Sequence, residues 1–491
     1  MAVVSAMEIE SIKPFLAVAV AVLGAALIPV TRRSPNIREG CSLVAATLQF
    51  LIVLTMIPTV LAGNTLHYTL FSITSGVSFA FRVDAMGLIF ATAASFLWIL
   101  ITMYSIGYVR SIKEHAQTRY YLCFAITLSA TMGVAFAANL MTLYVFYELI
   151  GFSVYALVVH KETEEAFAKG NRYIFYVFML AKFFLLAGIL AYALSGTLGF
   201  NPKGVFPSKA DPILLTLTYL LFVVGISKAA IIPFHAWLPA AMIAPMPVAA
   251  LLAGVDVGAF CILRATYYIF GLDTLKELNL GLPLVFLASF TIVAASVLAL
   301  TRDDLKARLA YSTISQISYT LLGAALLAPA GLIGGVLQIV NHAIAKVTLF
   351  FCAGSIYVAS GKTKVSELNG IGKQMPFTMA AFTLGALSII GFPPFAGFIS
   401  KWYLVFGSVE AGLYPAIAVL VASSILSASY LLPIGYAAFF RDLPPGEKAE
   451  RREAPTMMVV ALILTAIGTL VLFFSPSVFF ELARVVMREV G

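Results

Sequence analysis

Eight ionisable side chains lie inside long apolar runs of this sequence. They are five basic residues, two carboxylates and one histidine: Glu148, Lys182, Lys228, Asp256, Arg264, His342, Lys346 and Lys401. A charge at the centre of a bilayer costs a few kcal/mol, so such residues usually face the protein interior or a water-filled path, where they take part in ion or proton movement. Packing does not require so many of them, and we expect most of the eight to be functional.

Two of these residues are spaced to pass a proton. His342 and Lys346, in NHAIAKVTLF, are four residues apart and therefore lie on one face of a helix. Histidine titrates near neutral pH, and a lysine that is removed from water can release its proton, so the pair can act as a relay. The alternative is that His342 only makes a hydrogen bond between helices.

Three other residues differ in what their surroundings indicate. Glu148 lies among aromatic residues in YVFYELIGF, which favours a functional carboxylate over a simple hydrogen bond between helices. For Lys182 a functional and a structural role both remain open. Arg264 lies late in its apolar run, so we expect it to extend toward the outer surface and to be structural.

Two proline breaks position the lysines at either end of this set. Lys228 precedes Pro233 in SKAAIIPFHAW, whereas Pro393 and Pro394 precede Lys401 in GFPPFAGFISKW. Proline removes a backbone hydrogen bond, and in a membrane the freed carbonyl needs water or another helix, so a break beside a lysine predicts a hydrated site. The two breaks lie five spans apart, in helices of opposite direction, which predicts an inverted repeat with ion sites near mid-membrane.

The composition indicates an all-α polytopic membrane protein. Hydrophobic residues make up 61% of the 491 positions, charged residues 11%, and mean hydropathy is +0.99. Soluble domains average about 45–50% apolar and about 25% charged residues. The chain has room for about 14 spans, the seventh and twelfth being broken. We expect them at 14–30, 42–62, 84–107, 120–139, 141–159, 172–195, 213–234, 247–270, 281–300, 308–328, 331–357, 377–408, 414–440 and 455–475.

The basic residues alternate between the loops in a way that predicts the topology. Loops after odd-numbered spans hold 19 of the 31 Lys and Arg residues, whereas loops after even-numbered spans hold Arg82, Lys203, Lys209 and Lys276. The positive-inside rule then places the odd loops in the cytoplasm and both termini outside. The net charge of +8 is thus mostly a topology signal and does not indicate nucleic-acid binding.

These spans divide into four parts. Residues 1–112 hold helices 1–3, residues 113–272 the first five-helix repeat (helices 4–8), and residues 273–442 the second (helices 9–13). Residues 443–491 hold helix 14 and the segment FFELARVVMREVG, which is typical of an amphipathic helix on the membrane surface.

The sequence predicts no cofactor and no metal in this chain. Its cysteines, Cys41, Cys123, Cys261 and Cys352, have no CxxC spacing and no nearby histidine cluster, and no nucleotide-binding glycine loop is visible. We therefore expect no redox centre here, and a source of energy in another subunit.

Four motifs give the sequence a family resemblance. KAAIIPFHAWLPAAMIAPMPVAALL, DDLKARLAYSTISQISY, NHAIAKVTLFF and GFPPFAGFISKW resemble, in order and spacing, the antiporter-like subunits of complex I, multisubunit sodium/proton antiporters and membrane-bound hydrogenases. The resemblance covers roughly residues 80–430. It implies a proton- or sodium-translocating subunit of a prokaryotic cell membrane, without bound cofactor, whose partners are lipid, further antiporter-like subunits and a redox module linked to ferredoxin or quinone.

The resemblance also implies site residues. They fall on Glu148, Lys228, His342, Lys346 and Lys401. Helix eight of the family carries lysine or histidine, whereas LLAGVDVGAFCILR offers Asp256, which could pair with Lys182 or Lys228 or bind a cation.

The expected mechanism is electrostatic. Glu148 and Lys228 would form a pair, and when a neighbouring subunit draws Glu148 away, Lys228 would release its proton toward His342, Lys346 and Lys401. Two alternatives from other classes are a free-standing transporter for a small solute and a structural subunit whose ionisable residues are idle.

Overall fold

The computed structural model describes residues 7–74 and 77–491, which are mostly helical. The helices of the first half are α1 (Lys13–Val30), α2 (Pro35–Leu54), α3 (Ile57–Leu61), α4 (Ala85–Ser111), α5 (Gln117–Ala135), α6 (Leu140–Val158), α7 (Glu164–Ser195), α8 (Pro212–Gly225), α9 (Trp237–Ala241), α10 (Met246–Gly254) and α11 (Val257–Ala265). Those of the second half are α12 (Leu272–Glu277), α13 (Gly281–Leu300), α14 (Leu305–Ala325), α15 (Pro329–Ser360), α16 (Pro376–Ile390), α17 (Ala396–Glu410), α18 (Tyr414–Phe440), α19 (Thr456–Phe474) and α20 (Ser477–Val490).

Ten helical segments of the described chain are long and apolar enough to cross a membrane. The apolar helices α8 and α16 are shorter because each is the first part of a broken span. Helices α4 and α15 lie at the centre, since 83% of the most apolar window of each is buried, against 28% for α7 at the periphery. Helix α15 packs against α10, α14, α16, α17 and α19.

A small β-sheet corrects the all-α expectation. Strand β1 (Glu8–Glu10) pairs in parallel with β2 (Thr65–Thr74), which pairs antiparallel with β3 (Val77–Val83). The segment 65–83 alternates β-branched and aromatic residues with polar ones, which favours strands. The sheet ties the residues before α1 to the loop between α3 and α4.

Helices are broken at both predicted places and at a third. Helix α8 ends at Gly225 and is followed by a 3₁₀ turn, Ser227–Ala229, and Pro233; α16 ends at Ile390, before Pro393 and Pro394. The third break, between α10 and α11, leaves Asp256 outside regular helix. A candidate span at Met246–Phe270 agrees with the predicted span at 247–270, but its helix is interrupted because α10 stops at Gly254.

The loops that the charge pattern assigns to opposite sides are also separated in the fold. Phe81 bridges to Ala137 and Asn139 to Gly199, so the loops after the second, fourth and sixth spans meet. On the other side, Arg119 donates to the carbonyl oxygen of His160 and Asp304 bridges to Lys364. Odd-numbered loops thus contact odd-numbered loops, and even-numbered loops contact even-numbered ones.

The final helix, α20, packs on α4 and α15 at the side of the sheet. Tyr268, in the π-helical turn that follows α11, donates to Oε2 of Glu489 at 3.0 Å. Burial, with a smaller contribution from the charge of Asp84, raises the pKa of Glu489 to about 7. The carboxyl group of Glu489 is therefore a titratable contact between α20 and the rest of the chain.

Candidate functional site

Glu148 and Lys182 form the first cluster of ionisable residues, on the facing surfaces of α6 and α7. Lys182 Nζ lies 3.4 Å from Oε1 of Glu148, and Tyr144 donates to the same oxygen at 2.8 Å. The side chain of Lys182 is 43% exposed and that of Glu148 is 13% exposed. The direct partner of Glu148 is therefore Lys182, and not Lys228 as the expected mechanism had it. The pair lies where an adjacent subunit could reach it.

Lys228 lies in the broken segment between α8 and α9 and is 6% exposed. Its Nζ donates to the carbonyl oxygen of Tyr147 at 2.8 Å and sits 3.3 Å from the centre of that ring, a favourable position for a cation. Its backbone N–H donates to the Tyr147 hydroxyl. Tyr147 directly precedes Glu148 on α6, so the partner of Lys228 is adjacent in sequence to the first cluster.

Gly258 allows α11 to approach the broken segment closely. A Cβ atom at this position would lie 2.0 Å from the backbone nitrogen of Ala229 and 2.1 Å from the carbonyl carbon of Lys228. Any larger residue would push the segment that holds Lys228 away from α11.

A cavity of about 30 Å³ connects Lys228 with Asp256. Both residues line it, together with Thr127, Thr131 and Tyr173. A site needs polar partners and about 10–15 Å³ to hold a water molecule, so this cavity has room for at least one. A water there would bridge the lysine and the carboxylate.

Asp256 pairs with His342 in the middle of the protein. Oδ2 of Asp256 lies 2.7 Å from Nδ1 of His342, and neither side chain is exposed to solvent. Oδ1 of Asp256 and Nε2 of His342 have no hydrogen-bond partner among the described residues. Asp256 faces the interior as predicted, but its partner is the histidine and not Lys182 or Lys228. Each member keeps one free atom that can exchange a proton with water.

Lys346 lies one turn beyond His342 on α15 and is completely buried. Its Nζ donates to Oγ of Ser312 on α14, which also accepts a hydrogen bond from the hydroxyl of Tyr430 at 2.8 Å. A buried ammonium is costly without hydrogen-bond partners, and Ser312 provides one for Lys346.

Lys401 lies near the second break, on α17. Its Nζ donates to the carbonyl oxygens of Ile389 and Ile390 at 2.8 and 3.0 Å and to Oγ of Ser424 at 3.2 Å. The two carbonyls end α16, where the helix dipole favours a cation. Gly391, with φ +87°, turns the chain there, and a Cβ on it would lie 2.7 Å from Cδ of Lys401.

Arg264 is buried, although the sequence predicted that it would extend to the outer surface. It is 1% exposed and forms a two-pronged ion pair with Asp84 at the start of α4. The expectation was wrong because Asp84, in a loop at the membrane boundary, was not recognised as its partner. The structural role expected for Arg264 agrees with this geometry.

Sequence reasoning missed the polar face of α14. Ser312, Gln316 and Tyr319 lie at helical spacing on one side of this helix; Gln316 accepts from Gln338 of α15, and the Tyr319 ring lies 4.8 Å from Nζ of Lys401. Together with Tyr430 they line the interval between Lys346 and Lys401 with polar groups. The i, i+4, i+7 spacing of these residues in STISQISY is the sequence signal that could have identified this polar face.

The comparisons with known proteins confirm the resemblance. A family described as NADH:quinone oxidoreductase/Mrp antiporter, TM, matches residues 137–427. NADH-quinone oxidoreductase subunit N of Desulforudis audaxviator is 34% identical over 81% of this chain and 82% of its own length. Na(+)/H(+) antiporter subunit A1 of Staphylococcus haemolyticus is 28% identical over 87% of this chain, which spans 56% of that relative.

Two solved structures share the fold. A chain of the Mrp complex from Dietzia sp. DQ12-45-1b superposes with a TM-score of 0.87 at 22% identity, and 98% of each chain is covered. A chain of the membrane-bound sulfane sulfur reductase, an archaeal respiratory membrane complex, gives the same TM-score and coverage at 23% identity. The similarity extends over nearly all of the chain.

Proposed function

Because this chain belongs to the NADH:quinone oxidoreductase/Mrp antiporter transmembrane family, we propose that it is an ion-translocating membrane subunit of a multisubunit respiratory or antiporter complex. The ion is a proton or sodium. The observation that carries the proposal is the buried, hydrogen-bonded pair Asp256–His342, which lies between two buried lysines, Lys228 and Lys346. Paired ionisable residues inside a membrane protein are the usual components of ion and proton paths.

The path runs laterally through the chain. It begins at Glu148 and Lys182, continues through Lys228 and the cavity to Asp256 and His342, and reaches Lys401 through Lys346 and the polar face of α14. The cavity lined by Lys228 and Asp256, the Asp256–His342 hydrogen bond and the Lys346–Ser312 hydrogen bond support this path. Each group takes up and releases a proton, or gives way to a cation.

Electrostatic coupling between the surface pair, Glu148 and Lys182, and the buried Lys228 drives the transfer. When Lys182 neutralises Glu148, less negative charge acts on Lys228; when a neighbouring subunit attracts Lys182, the carboxylate stabilises the charged form of Lys228 more strongly. Tyr147 holds Lys228 against α6, so movement of that helix moves the lysine as well. A change at the surface cluster thus alters the charge state of the central residues.

We propose that the chain crosses the membrane 14 times. Counted as membrane spans and not by the α labels, spans 4–8 (residues 113–272) and spans 9–13 (residues 273–442) are inverted repeats. Residues 1–112 and 443–491 flank them. Support comes from parallel features: α7 and α15 both have 32 residues, and each is followed by a broken span. Lysines lie beside both breaks, before the prolines in one and after them in the other.

The charge pattern supports an orientation with both termini outside. Loops rich in Lys and Arg meet on one side, whereas β1 and α20 lie on the other. The partners we propose are further antiporter-like subunits and, in a respiratory complex, a redox module. Relatives named as subunits of NADH-quinone oxidoreductase and of a Na(+)/H(+) antiporter support this assignment.

The experiment is ion translocation by the complete complex in proteoliposomes, driven by its redox reaction or by an imposed gradient. Replacement of Asp256 by Asn should stop ion uptake while the complex still assembles. An assembled D256N complex that pumps at the normal rate would instead favour a structural subunit. Solute transport by the isolated chain would favour a free-standing transporter.

A further inference from the structure

A second cluster of ionisable side chains lies away from the lateral path, just before the start of α5 and just after the end of α6. Glu114 and His115 belong to the turn between α4 and α5, and His160 to the turn between α6 and α7. The charge pattern places both turns in the cytoplasm. One nitrogen of each histidine and one carboxylate oxygen of Glu114 lie within 4.8 Å of one another.

The distances suit the donors of a transition metal. Oε1 of Glu114 lies 2.9 Å from Nδ1 of His115 and 3.9 Å from Nε2 of His160. Zinc bonds of about 2.0–2.2 Å in tetrahedral geometry place the ligand atoms about 3.3 Å apart, between these two values. The His115 side chain is 46% exposed, so a small rotation of its ring can complete the set.

His160 places one ring nitrogen at this cluster. Its side chain is completely buried, and its Nε2 lies 3.9 Å from Oε1 of Glu114 and 3.1 Å from the carbonyl oxygen of His115. Its ring stacks on that of His115, with the ring centroids 4.8 Å apart. Nε2 is therefore the nitrogen that a metal ion would use, and the ion would replace the contact with the carbonyl oxygen.

The nearest fixed cation does not block the site. Arg119 donates to the carbonyl oxygen of His160, but its guanidinium is ion-paired with Glu162. The carboxylate of Glu114, with its side chain 9% exposed, therefore faces the two imidazoles. Two imidazoles and one carboxylate suit Zn²⁺, Ni²⁺ or Cu²⁺, whereas Mg²⁺ and Ca²⁺ prefer sites made of oxygen.

We propose that Glu114, His115 and His160 bind a divalent transition-metal ion, with Zn²⁺ as the reference ligand. Three protein ligands leave a fourth position for water, and the exposed His115 gives access from the aqueous side. The ion would join the turn after α4 to the turn after α6. Glu148 lies twelve residues before His160, about 18 Å along α6. A bound ion thus restrains the helix that carries the surface cluster and slows translocation.

The test measures metal binding directly. The purified complex, stripped with a chelator, is titrated with Zn²⁺ against a chromogenic chelator, and thermal unfolding is recorded with and without Zn²⁺. We expect the H115A and H160Q variants each to bind this Zn²⁺ about tenfold or more weakly than wild type and to lose its stabilisation. The H67A variant, altered on strand β2, should bind as wild type.

The exposed position of His115 keeps the proposal falsifiable even if H160Q fails to assemble. Equal Zn²⁺ binding by wild type, H115A and H67A would overturn the site, as would a wild-type complex that takes up no Zn²⁺ at micromolar concentration. Zn²⁺ should also slow ion uptake in wild type and not in H115A. Because H115A leaves the lateral path intact, its uptake without Zn²⁺ should be normal.

Discussion

Nδ1 of His342 lies 2.7 Å from Oδ2 of Asp256, and both side chains are inaccessible to solvent. The two residues come from different helices, since Asp256 lies at the break before α11 and His342 in the middle of α15. A buried carboxylate is stable in a membrane protein only with a partner. The pair therefore lies between the cavity that Lys228 lines and Lys346, one turn further along α15.

Asp256 and His342 should behave as one unit. We expect D256N and H342Q each to reduce ion uptake by at least about tenfold, and the double variant to lose no more than the worse single variant, because either change removes the same pair. Uptake by proteoliposomes of the three assembled complexes provides the measurement. Additive losses in the double variant would show that the two residues act separately.

Lys228 should be required for translocation but not for assembly. The K228A variant removes a buried ammonium that touches Tyr147 and the cavity, so the path is interrupted while the helix contacts around it remain. We expect uptake to fall by at least about tenfold, with subunit composition unchanged on native gels. K276A, which alters an exposed lysine in the last turn of α12, is the matched control. Failure of K228A alone to assemble would make the lysine structural.

Docking of α20 should weaken as pH rises. The pKa of Glu489 is about 7 when it is buried beside Tyr268 and Asp84, above its ordinary value, so the docked state favours the protonated form. Stabilisation is complete below the ordinary pKa of a glutamate and is lost as pH rises through about 7. After correction for the intrinsic, base-catalysed pH dependence of amide exchange, α20 should therefore be more protected at pH 5.5 than at pH 8.

Matched variants isolate this effect. E489Q should remove most of the pH dependence, whereas E481Q, which changes an exposed glutamate on the same helix, should retain it. The charged groups around Glu489 are Asp84, Arg82 and Arg264. The Asp84–Arg264 ion pair should persist between pH 5.5 and 8, so equal pH dependence in E489Q and wild type would assign the titration to another group.

The orientation can be tested with single cysteines. A cysteine in place of Lys364 should react with an impermeant thiol reagent only from the cytoplasmic side, and one in place of Lys203 only from outside, because the two loops lie on opposite sides in the charge pattern. The control is a background from which the four native cysteines have been removed. Labelling of position 364 from outside would reverse the topology.

Much of the helical architecture could be predicted from the sequence because apolar length and proline are local signals. Pro233 and Pro394 predicted two of the breaks. The alternation of basic residues grouped the loops in the same way as their contacts in the fold do. The third break could not be predicted, since no proline lies between Val248 and Arg264 and only Gly254 and Gly258 weaken the helix there. The sheet could not be predicted from apolar length, because β2 and β3 lie between apolar helices and β1 has only three residues.

The candidate residues could be found by type, but their partners could not. Asp256 and His342 are 86 positions apart, and nothing in the sequence specifies which buried base meets which acid. Glu148 was assigned to Lys228, whereas the fold turns it toward Lys182 on the adjacent helix. Such choices depend on how helices pack, which is a property of the whole bundle.

The most direct test of a lateral ion path is ion uptake by an assembled complex that carries K346M. Lys346 is completely buried between His342 and the polar face of α14, and methionine keeps most of its volume while it removes the charge and the proton. K373M, which changes an exposed lysine that pairs with Asp442, serves as the control. We predict that K346M assembles fully and loses uptake by at least about tenfold, with K373M unchanged. Normal uptake by an assembled K346M complex would contradict the path.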